Sequence, residues 1–351
     1  MKILYLFNGY RGEQDRQILR GENHDDHFHG MYRLRKMGFE TDFDEIEKHA
    51  PRWLAVRLRR IFGTYAIQLI TFWRIFWADV VFSPTAFALL YFKSGVLHAK
   101  YPRWAILDFG LIGMIGEGKT LKQKLLQRAV AGADGIVTLS PAENDALRKM
   151  FPEKGDKIRF IYHNVDTEYF RPRPDFPEDD VIFSPGRDAG RDFLTLFKAM
   201  GGLPTKLVIT AREEVIAKYK PFPPNVTRAS YSHLELRDAY ARAKVLVITL
   251  SLARHNNDAM GLSTLMEMMA TGKPVVATDT ETMRAYIKHG ENGLLVPEGD
   301  PEALRKAIQS LLSDEALRKR LGAAARAFTV KYCAGQVWTD NIAAYFKELA
   351  A

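Results

Sequence analysis

Short apolar runs alternate with helical patterns along the whole chain. The runs that predict strands form two sets: 2–7, 40–43, 80–83, 105–108, 135–139 and 158–162, and then 181–184, 206–209, 245–248 and 275–277. Amphipathic segments predict helices near 30–37, 54–62, 66–77, 121–131, 141–150, 191–200, 233–243 and 262–271. Continuous apolar strands separated by helices are typical of parallel sheets covered on both faces. The sequence therefore predicts an α/β protein with two Rossmann-like, doubly wound parallel sheets.

A segment rich in proline and charge, residues 171–180, separates the two sets of strands. Such a composition is typical of a linker between domains. We therefore expect a first domain over 1–170 and a second over 171–330. Because ligands of doubly wound sheets bind beyond the carboxyl ends of the strands, the cleft between two such domains is the expected active site.

Composition indicates the cellular compartment and the kind of partner that the protein has. The chain has 351 residues, 47% of them apolar, and a net charge of +8, which favours anionic partners. Its single cysteine, Cys333, excludes an internal disulfide and fits a reducing compartment. The N-terminus lacks the pattern of a signal peptide, and no run of 18 apolar residues occurs. We expect a cytoplasmic protein that can lie on the inner face of a membrane, and no nucleic-acid motif appears.

The stretch Gly261–Val276 carries the most informative local pattern. It predicts a loop, a short amphipathic helix and a buried strand. Gly261 allows close approach of the backbone to a ligand, and Ser263 and Thr264 can cap a helix whose first amides are able to bind an anion. Glu267 lies among apolar neighbours about two turns into that helix. This arrangement suits an anionic, hydroxyl-rich ligand such as a nucleotide sugar.

Four segments in this order resemble the retaining glycosyltransferases of the GT-B fold, in the large family 4 group. Ile161–Pro172 is similar to the signature GVDxxxFxP, with Asn164 where glycine is usual. Ser184–Phe193 is similar to the phosphate loop GRxxxxKG, Glu267–Val276 to EAMAxGxPVV, and Tyr286–Pro301 to a glycine-rich turn and strand. The resemblance covers residues 130–332 well and implies a C-terminal helix, 331–351, that crosses back to the first domain.

The loop after the strand 181–184 provides the first candidate residues. Gly186 allows close approach to a phosphate, and the guanidinium groups of Arg187 and Arg191 can neutralise a diphosphate and stabilise the leaving nucleotide. Arg191 takes the place of the lysine in the family's loop, although it is one residue closer than in the usual spacing. The alternative interpretation is that both are ordinary loop arginines with solvated side chains.

The helix starting near Gly261 provides the second group of candidates. The resemblance implies that Glu267 accepts hydrogen bonds from the two ribose hydroxyls, as the second glutamate of the family's E-x7-E pair does. The backbone amides of Leu262, Ser263 and Thr264 would contact the diphosphate or the sugar. The alternatives are a surface glutamate and simple N-capping.

One residue departs from the family pattern. The first glutamate of E-x7-E would fall eight residues before Glu267, where this chain has Ala259. The neighbouring Asp258 is a candidate replacement, and His255, Asn256 or Asn257 could hold the donor sugar instead. An ordinary polar loop is the alternative. The departure is also compatible with a protein that has lost catalytic activity.

The first domain offers weaker signals. Gly9 follows the first strand and could admit donor phosphate, but the loop is not the GxGxxG fingerprint of a dinucleotide cofactor. Asp108 ends a strand about where the family often carries a histidine near the donor sugar, so it can line the cleft. Three histidines in His24–His29 invite a metal hypothesis, although their spacing is not a known ligand pattern. We interpret the Asp42-Phe-Asp44 triplet as structural.

The segment 52–62 is basic, aromatic and able to form a helix. Leu54, Leu58, Ile61 and Phe62 can share a face flanked by Arg52, Arg59 and Arg60, so the helix could lie on an anionic bilayer. The alternative is a helix that covers the sheet with its apolar face in the core. On the bilayer interpretation, the acceptor is lipid-linked or part of an envelope polysaccharide.

The resemblance implies a retaining glycosyltransferase that needs neither a cofactor nor a metal. Its donor would be a nucleotide sugar, with a UDP-sugar favoured, and its acceptor a glycan or a lipid-linked molecule. Two alternatives remain at this point. One is a GT-B protein that binds nucleotide sugar without turnover, and the other is a GT-B epimerase or a metal-dependent hydrolase that uses His24–His29.

Overall fold

The computed structural model describes residues 1–7, 9–187, 190–252, 257 and 259–351. The chain divides into two compact units, one formed by residues 1–161 together with 338–351 and the other by residues 162–337. Each unit is built on a six-stranded parallel sheet. This is the α/β architecture with two doubly wound sheets that the sequence predicts.

The sheet of the first unit has the strand order β2-β1-β3-β4-β5-β6. Its strands are β1 Lys2–Leu6, β2 Glu40–Asp44, β3 Val80–Ser83, β4 Arg103–Leu107, β5 Gly135–Thr138 and β6 Ile158–Phe160. The strands are almost completely buried, because helices cover both faces of the sheet.

These strands are connected by the α-helices α1 Gly12–Leu19, α2 Met31–Lys36, α3 Arg52–Ala66, α4 Phe87–Tyr91, α5 Leu111–Ile115, α6 Leu121–Ala131 and α7 Pro141–Met150. Shorter turns of 3-10 helix cover Asp26–Phe28, Ile46–Lys48, Ile67–Trp77 and Pro152–Lys157, and a π-helical turn covers Phe92–Val96. The predicted helix near 66–77 is thus a 3-10 helix.

The second unit has the strand order β12-β11-β10-β7-β8-β9. Its strands are β7 Val181–Ser184, β8 Lys206–Ile209, β9 Val226–Arg228, β10 Val245–Ile248, β11 Val275–Thr278 and β12 Leu294–Val296. The chain runs outward from β7 to β9, then returns to place β10 on the other side of β7. The strand order therefore reverses between β7 and β10, and in open α/β sheets ligands bind at such a point.

The remaining α-helices are α8 Phe193–Met200, α9 Glu213–Ile216, α10 His233–Arg242, α11 Leu262–Ala270, α12 Glu281–Tyr286, α13 Pro301–Ser313, α14 Glu315–Phe328 and α15 Gly335–Ala350. A 3-10 turn covers Ala217–Tyr219 and a π-helical turn covers Thr329–Cys333. Within the first unit, the indole Nε1 of Trp338 on α15 donates to the carbonyl of His29 at 2.9 Å. No helix within the described ranges has the length and hydrophobicity needed to cross a bilayer.

Candidate functional site

Two loops meet where the strand order of the second unit reverses. One follows β7 and leads through Gly186 and Arg191 into α8, and the other follows β10 and leads through Gly261 into α11. An isolated bridge between Arg191 and Leu250 joins the two loops directly. Among the described residues, those predicted to bind a nucleotide sugar in the second half of the chain thus lie beyond the carboxyl ends of two neighbouring strands of one sheet.

The guanidinium of Arg191 lies between two glycines. A Cβ atom on Gly186 would lie 2.6 Å from Cζ of Arg191, and one on Gly261 would lie 3.4 Å from its Nη1. Both glycines also have positive φ, +124° and +79° respectively, which other residues rarely adopt. Glycine is therefore favoured at both positions: a Cβ atom at Gly186 would collide with Arg191, and one at Gly261 would lie 2.8 Å from Cδ1 of Ile248.

Arg191 itself is only 2% exposed. Its Nη2 donates to Oγ1 of Thr264, in the first turn of α11, at 3.0 Å. The arginine therefore tethers the loop after β7 to the amino end of α11 and brings a buried positive charge to the place where an anion would be bound.

Arg187 has a different environment from Arg191. Its side chain is exposed, and its carbonyl accepts a hydrogen bond from Nε of Arg212 at 3.3 Å. The two arginines that the sequence groups together are thus separated, with Arg191 packed inside the loop and Arg187 directed to solvent. Arg187 can reach a ligand only from the rim of the site.

The amino end of α11 is built differently from the sequence expectation. The N-cap residue is Gly261, so Ser263 and Thr264 do not cap the helix, and that expectation is wrong. Thr264 accepts from Arg191, and Oγ of Ser263 lies 2.9 Å from Nε2 of His163. The amide of Leu262 donates to the carbonyl of Ala259 at 3.3 Å, so it is engaged within the chain rather than directed at a ligand.

Glu267 is fixed by a tyrosine of the preceding helix. The hydroxyl of Tyr240, on α10, donates to Oε2 of Glu267 at 2.7 Å. Burial, followed by the neighbouring Glu267 carboxylate, raises the pKa of Tyr240 well above its usual value, while Arg191 opposes the shift. The tyrosine hydroxyl therefore stays protonated and holds the carboxylate in one orientation.

Sequence reasoning missed two residues of this site, Tyr240 and His163. Tyr240 gives no local signal beyond its apolar position on α10, since its partner is 27 residues away. His163 lies in the segment 161–172 that drew attention only as a family signature. It is buried, and its backbone amide donates to the hydroxyl of Tyr286 at 3.0 Å.

The candidate loop before α11 is described only in part. Asp258, His255 and Asn256 lie outside the described residues. Oδ1 of Asn257 accepts a hydrogen bond from the amide of Ala259 at 3.0 Å, and Ala259 is buried. At the position where the family has its first glutamate, this chain thus has the buried methyl group of Ala259.

The site candidates of the first unit, Gly9 and Asp108, lie in different loops, after β1 and after β4. Gly9 is exposed, and a Cβ atom there would meet nothing within 4 Å, so packing does not require glycine. Asp108 is buried, and its Oδ1 accepts from the amide of Leu111 at 2.7 Å. Burial, followed by repulsion from Glu143, raises the pKa of Asp108 well above its usual value. The carboxyl of Asp108 thus organises the turn from β4 into α5, and its catalytic role stays a prediction.

The acidic and histidine-rich segments of the first unit form local pairs. Nδ1 of His24 lies 2.9 Å from Oδ2 of Asp26. Asp42 accepts from Lys48 at 3.2 Å, and Asp44 from Thr71 at 2.8 Å, as expected for a structural triplet. In the part of the chain that the structure describes, no three histidine, cysteine or acidic side chains are grouped as metal ligands.

Residues 213–328 match the family described as glycosyl transferases group 1. The D-inositol 3-phosphate glycosyltransferase 1 of Catenulispora acidiphila is 28% identical over 244 residues, covering 61% of this chain and 56% of that protein. The chain thus spans little more than half of the length of this relative, and between 10% and 58% of the length of others that it matches.

Solved structures resemble the whole chain. The sucrose-phosphate synthase of Thermosynechococcus elongatus has a TM-score of 0.72 at 19% identity and covers 99% of both chains. HepE of Anabaena, solved in complex with UDP-glucose, has a TM-score of 0.70 at 14% identity and covers 99% of this chain and 100% of that one. The fold is therefore GT-B, as the sequence predicts.

Proposed function

We propose that the chain, whose residues 213–328 match the family described as glycosyl transferases group 1, transfers a sugar from a nucleotide-sugar donor to a glycan or lipid-linked acceptor. The observation that carries this proposal is the constellation of Arg191, Thr264, Tyr240 and Glu267 at the strand reversal. A buried cation at a helix amino end suits a diphosphate, and a carboxylate held by a tyrosine suits a pair of hydroxyls. UDP is the favoured nucleotide, because HepE was solved with UDP-glucose.

The proposed mechanism relies on positioning and charge stabilisation. Cleavage of the bond between the sugar and the diphosphate leaves negative charge on the departing nucleotide. Arg191, the amides of Ser263 and Thr264, and Arg187 from the rim would stabilise that charge. We propose that the acceptor attacks the face from which the diphosphate departs, with the diphosphate helping to take the acceptor proton, so that the anomeric configuration is retained. No metal is required in this scheme, because the arginines neutralise the diphosphate.

The test of this function begins with binding and ends with products. We expect calorimetry to detect UDP and UDP-sugars, and Glu267→Ala to weaken UDP binding while the protein stays folded. A product assay with UDP-sugars and glycan or lipid acceptors, run with and without a chelator, should yield product with the donor's anomeric configuration in both conditions. Unchanged UDP affinity in both Glu267→Ala and Arg187→Ala would remove the site assignment.

A second candidate function is binding of a nucleotide sugar without transfer. It is favoured by Ala259, whose methyl group is enclosed where the family pattern has a carboxylate. This candidate predicts UDP-sugar binding with only slow donor hydrolysis and no transfer to any acceptor. Ala259→Glu would then be the informative variant, because gain of transfer would identify the missing carboxylate as the cause.

The exposed face of α3 supports association with an anionic membrane. Trp53, Val56, Arg57 and Arg60 are exposed and recur at the spacing of one helix face. Arg59, in contrast, makes two hydrogen bonds of 2.7 Å to Glu47 and belongs to the fold. We therefore expect Arg57→Glu/Arg60→Glu to reduce co-sedimentation with anionic vesicles, and equal binding by this variant would exclude α3 as the anchor.

A further inference from the structure

The first unit contains an apolar groove of about 580 Å³, a size usual for small-molecule sites. Phe87 and Leu126 form its buried floor, while Tyr91, Val96, Leu121 and Leu125 form its walls. Leu121 is 75% exposed and Leu125 is 42% exposed, although both lie on α6 beside the groove. Contiguous exposed apolar surface of this kind marks a binding surface rather than ordinary packing.

Aromatic side chains extend this surface beyond the groove. The ring of Phe72 lies 5.7 Å from that of Phe92, which lines the groove, and 5.8 Å from that of Trp73. Trp73 is 52% exposed and Phe76 is similarly open. Half-exposed tryptophan and phenylalanine are typical of surfaces that contact the boundary between water and lipid.

Positive charge is concentrated in the segment of the chain that forms this groove. Residues 52–128, which include all of the groove's lining except Ala129, contain twelve lysines and arginines and three acidic residues, giving a net charge of +9. Four of these cations pair with carboxylates outside the segment: Arg59 with Glu47, Arg74 with Asp42, and Lys93 and Arg103 with Asp134. The whole chain carries +8, so everything outside this segment sums to −1. Lys122 itself lines the groove. An apolar groove that is lined by Lys122 and belongs to a basic segment is complementary to an amphiphile with an anionic head.

We propose that this groove binds one hydrocarbon chain of an anionic membrane lipid, with the headgroup held by Lys122 and its basic neighbours. A second copy of this chain would bring the same positive charge to the surface and be repelled. The inference rests on the proposed function in one respect, since a lipid held here would bring a lipid-linked acceptor to the enzyme. The groove and the nucleotide site share no residue, so each can be tested without the other.

The first experiment uses alkyl phosphates of increasing chain length, from hexyl to nonyl, below their micellar concentrations. Each CH2 buried in an apolar site contributes about 0.8 kcal/mol, so calorimetry should give an affinity that rises about fourfold per added carbon. An affinity that is independent of chain length would overturn the proposal, because the phosphate alone would then account for binding.

The second experiment fills the groove. Ala88 lies on α4, lines the groove and is partly exposed, so Ala88→Trp would occupy the space while adding apolar surface. The matched control is Ala323→Trp, at an exposed position on α14 in the other unit. Ala88→Trp should lose the chain-length dependence while binding UDP as the parent does, and the control should keep both properties. Parent-like chain-length dependence in Ala88→Trp would overturn the proposal.

The third experiment places the lipid in a membrane. Vesicles of phosphatidylcholine with phosphatidylglycerol should sediment the parent and the control, but several-fold less of Ala88→Trp. Sedimentation velocity of parent and variant without lipid completes the test. A parent dimer that Ala88→Trp converts to a monomer would assign the groove to a second copy and overturn the lipid proposal.

Discussion

The two units share a fold plan but differ in what their surfaces offer. Among the described residues, fifteen exposed large hydrophobic side chains belong to the first unit and four to the second. The first unit also carries 26 basic and 20 acidic residues, the second 24 and 22. The second unit instead concentrates its unusual features at one sheet edge, where two glycines enclose Arg191. Sheets of the same kind thus support a recessed polar site in one unit and an exposed apolar and basic surface in the other.

The sharpest test of the recessed site is Gly186→Val. A branched side chain at φ +124° would also collide with the Arg191 guanidinium, so we expect a loss of about 3 kcal/mol in unfolding free energy. UDP binding should disappear, because Arg191 would be displaced. Gly299→Ala is the control, since Gly299 has positive φ but open space around it. Urea unfolding and UDP titration measure both effects, and full UDP affinity in Gly186→Val would contradict the geometry.

The role of Glu267 can be tested with the ligand as well as the protein. If its carboxylate accepts the ribose hydroxyls, the parent should bind UDP at least tenfold more tightly than 2′,3′-dideoxy-UDP, a difference of about 1.4 kcal/mol or more. Glu267→Ala should bind the two nucleotides almost equally. Calorimetry gives both affinities, and a variant that still discriminates would place the ribose elsewhere.

Tyr240→Phe should have a smaller effect of about 1 kcal/mol, since it removes one hydrogen bond and keeps the ring. We expect the KM for the donor to rise several-fold with little change in kcat. Tyr345→Phe is the matched control, because Tyr345 is also buried and donates to the carbonyl of Lys157 at 2.6 Å. It should lose comparable stability without changing KM, whereas equal KM effects in both variants would indicate a merely structural Tyr240.

The smallest effect concerns the buried carboxyl of Asp108 in the first unit. Its pKa is raised in the folded state, so its contribution to stability is complete below the ordinary aspartate pKa and is lost as pH rises through the folded pKa. Asp108→Asn keeps an acceptor for Leu111 and removes the titration. The stability of the parent relative to this variant should therefore fall as pH rises, as measured by urea unfolding at several pH values. A constant difference would show that Asp108 does not titrate with a raised pKa.

The sequence predicts the buried strands well, because continuous apolar runs such as 245–248 have few alternatives. It misses β9, Val226–Arg228, in which only Val226 is buried, so the edge strand leaves almost no apolar pattern. The helix α5 is missed for a related reason, since it is only five residues long. A strand with a single buried residue, or a helix of little more than one turn, leaves a sequence pattern too weak to distinguish from that of a loop.

The sequence predicts which residue types form the site, but not which of those residues are in contact. Glycines, arginines and Glu267 are recognisable from local spacing, and the structure brings Gly186, Arg191 and Gly261 together. The burial of Arg191 and the pairing of Tyr240 with Glu267 depend on how the helices and loops of the second unit pack together. No pattern within one segment encodes such a pairing, so sequence reasoning could not supply it.

The concentration of positive charge in residues 52–128 also separates the two surfaces by their response to salt. At 0.15 M ionic strength charges are screened over about 8 Å in water, so exposed cations lose much of their attraction for an anionic surface. The buried Arg191 is far less affected. If the proposed association with a bilayer and the proposed nucleotide binding hold, a rise in ionic strength should release the protein from the bilayer at salt concentrations that leave the nucleotide bound.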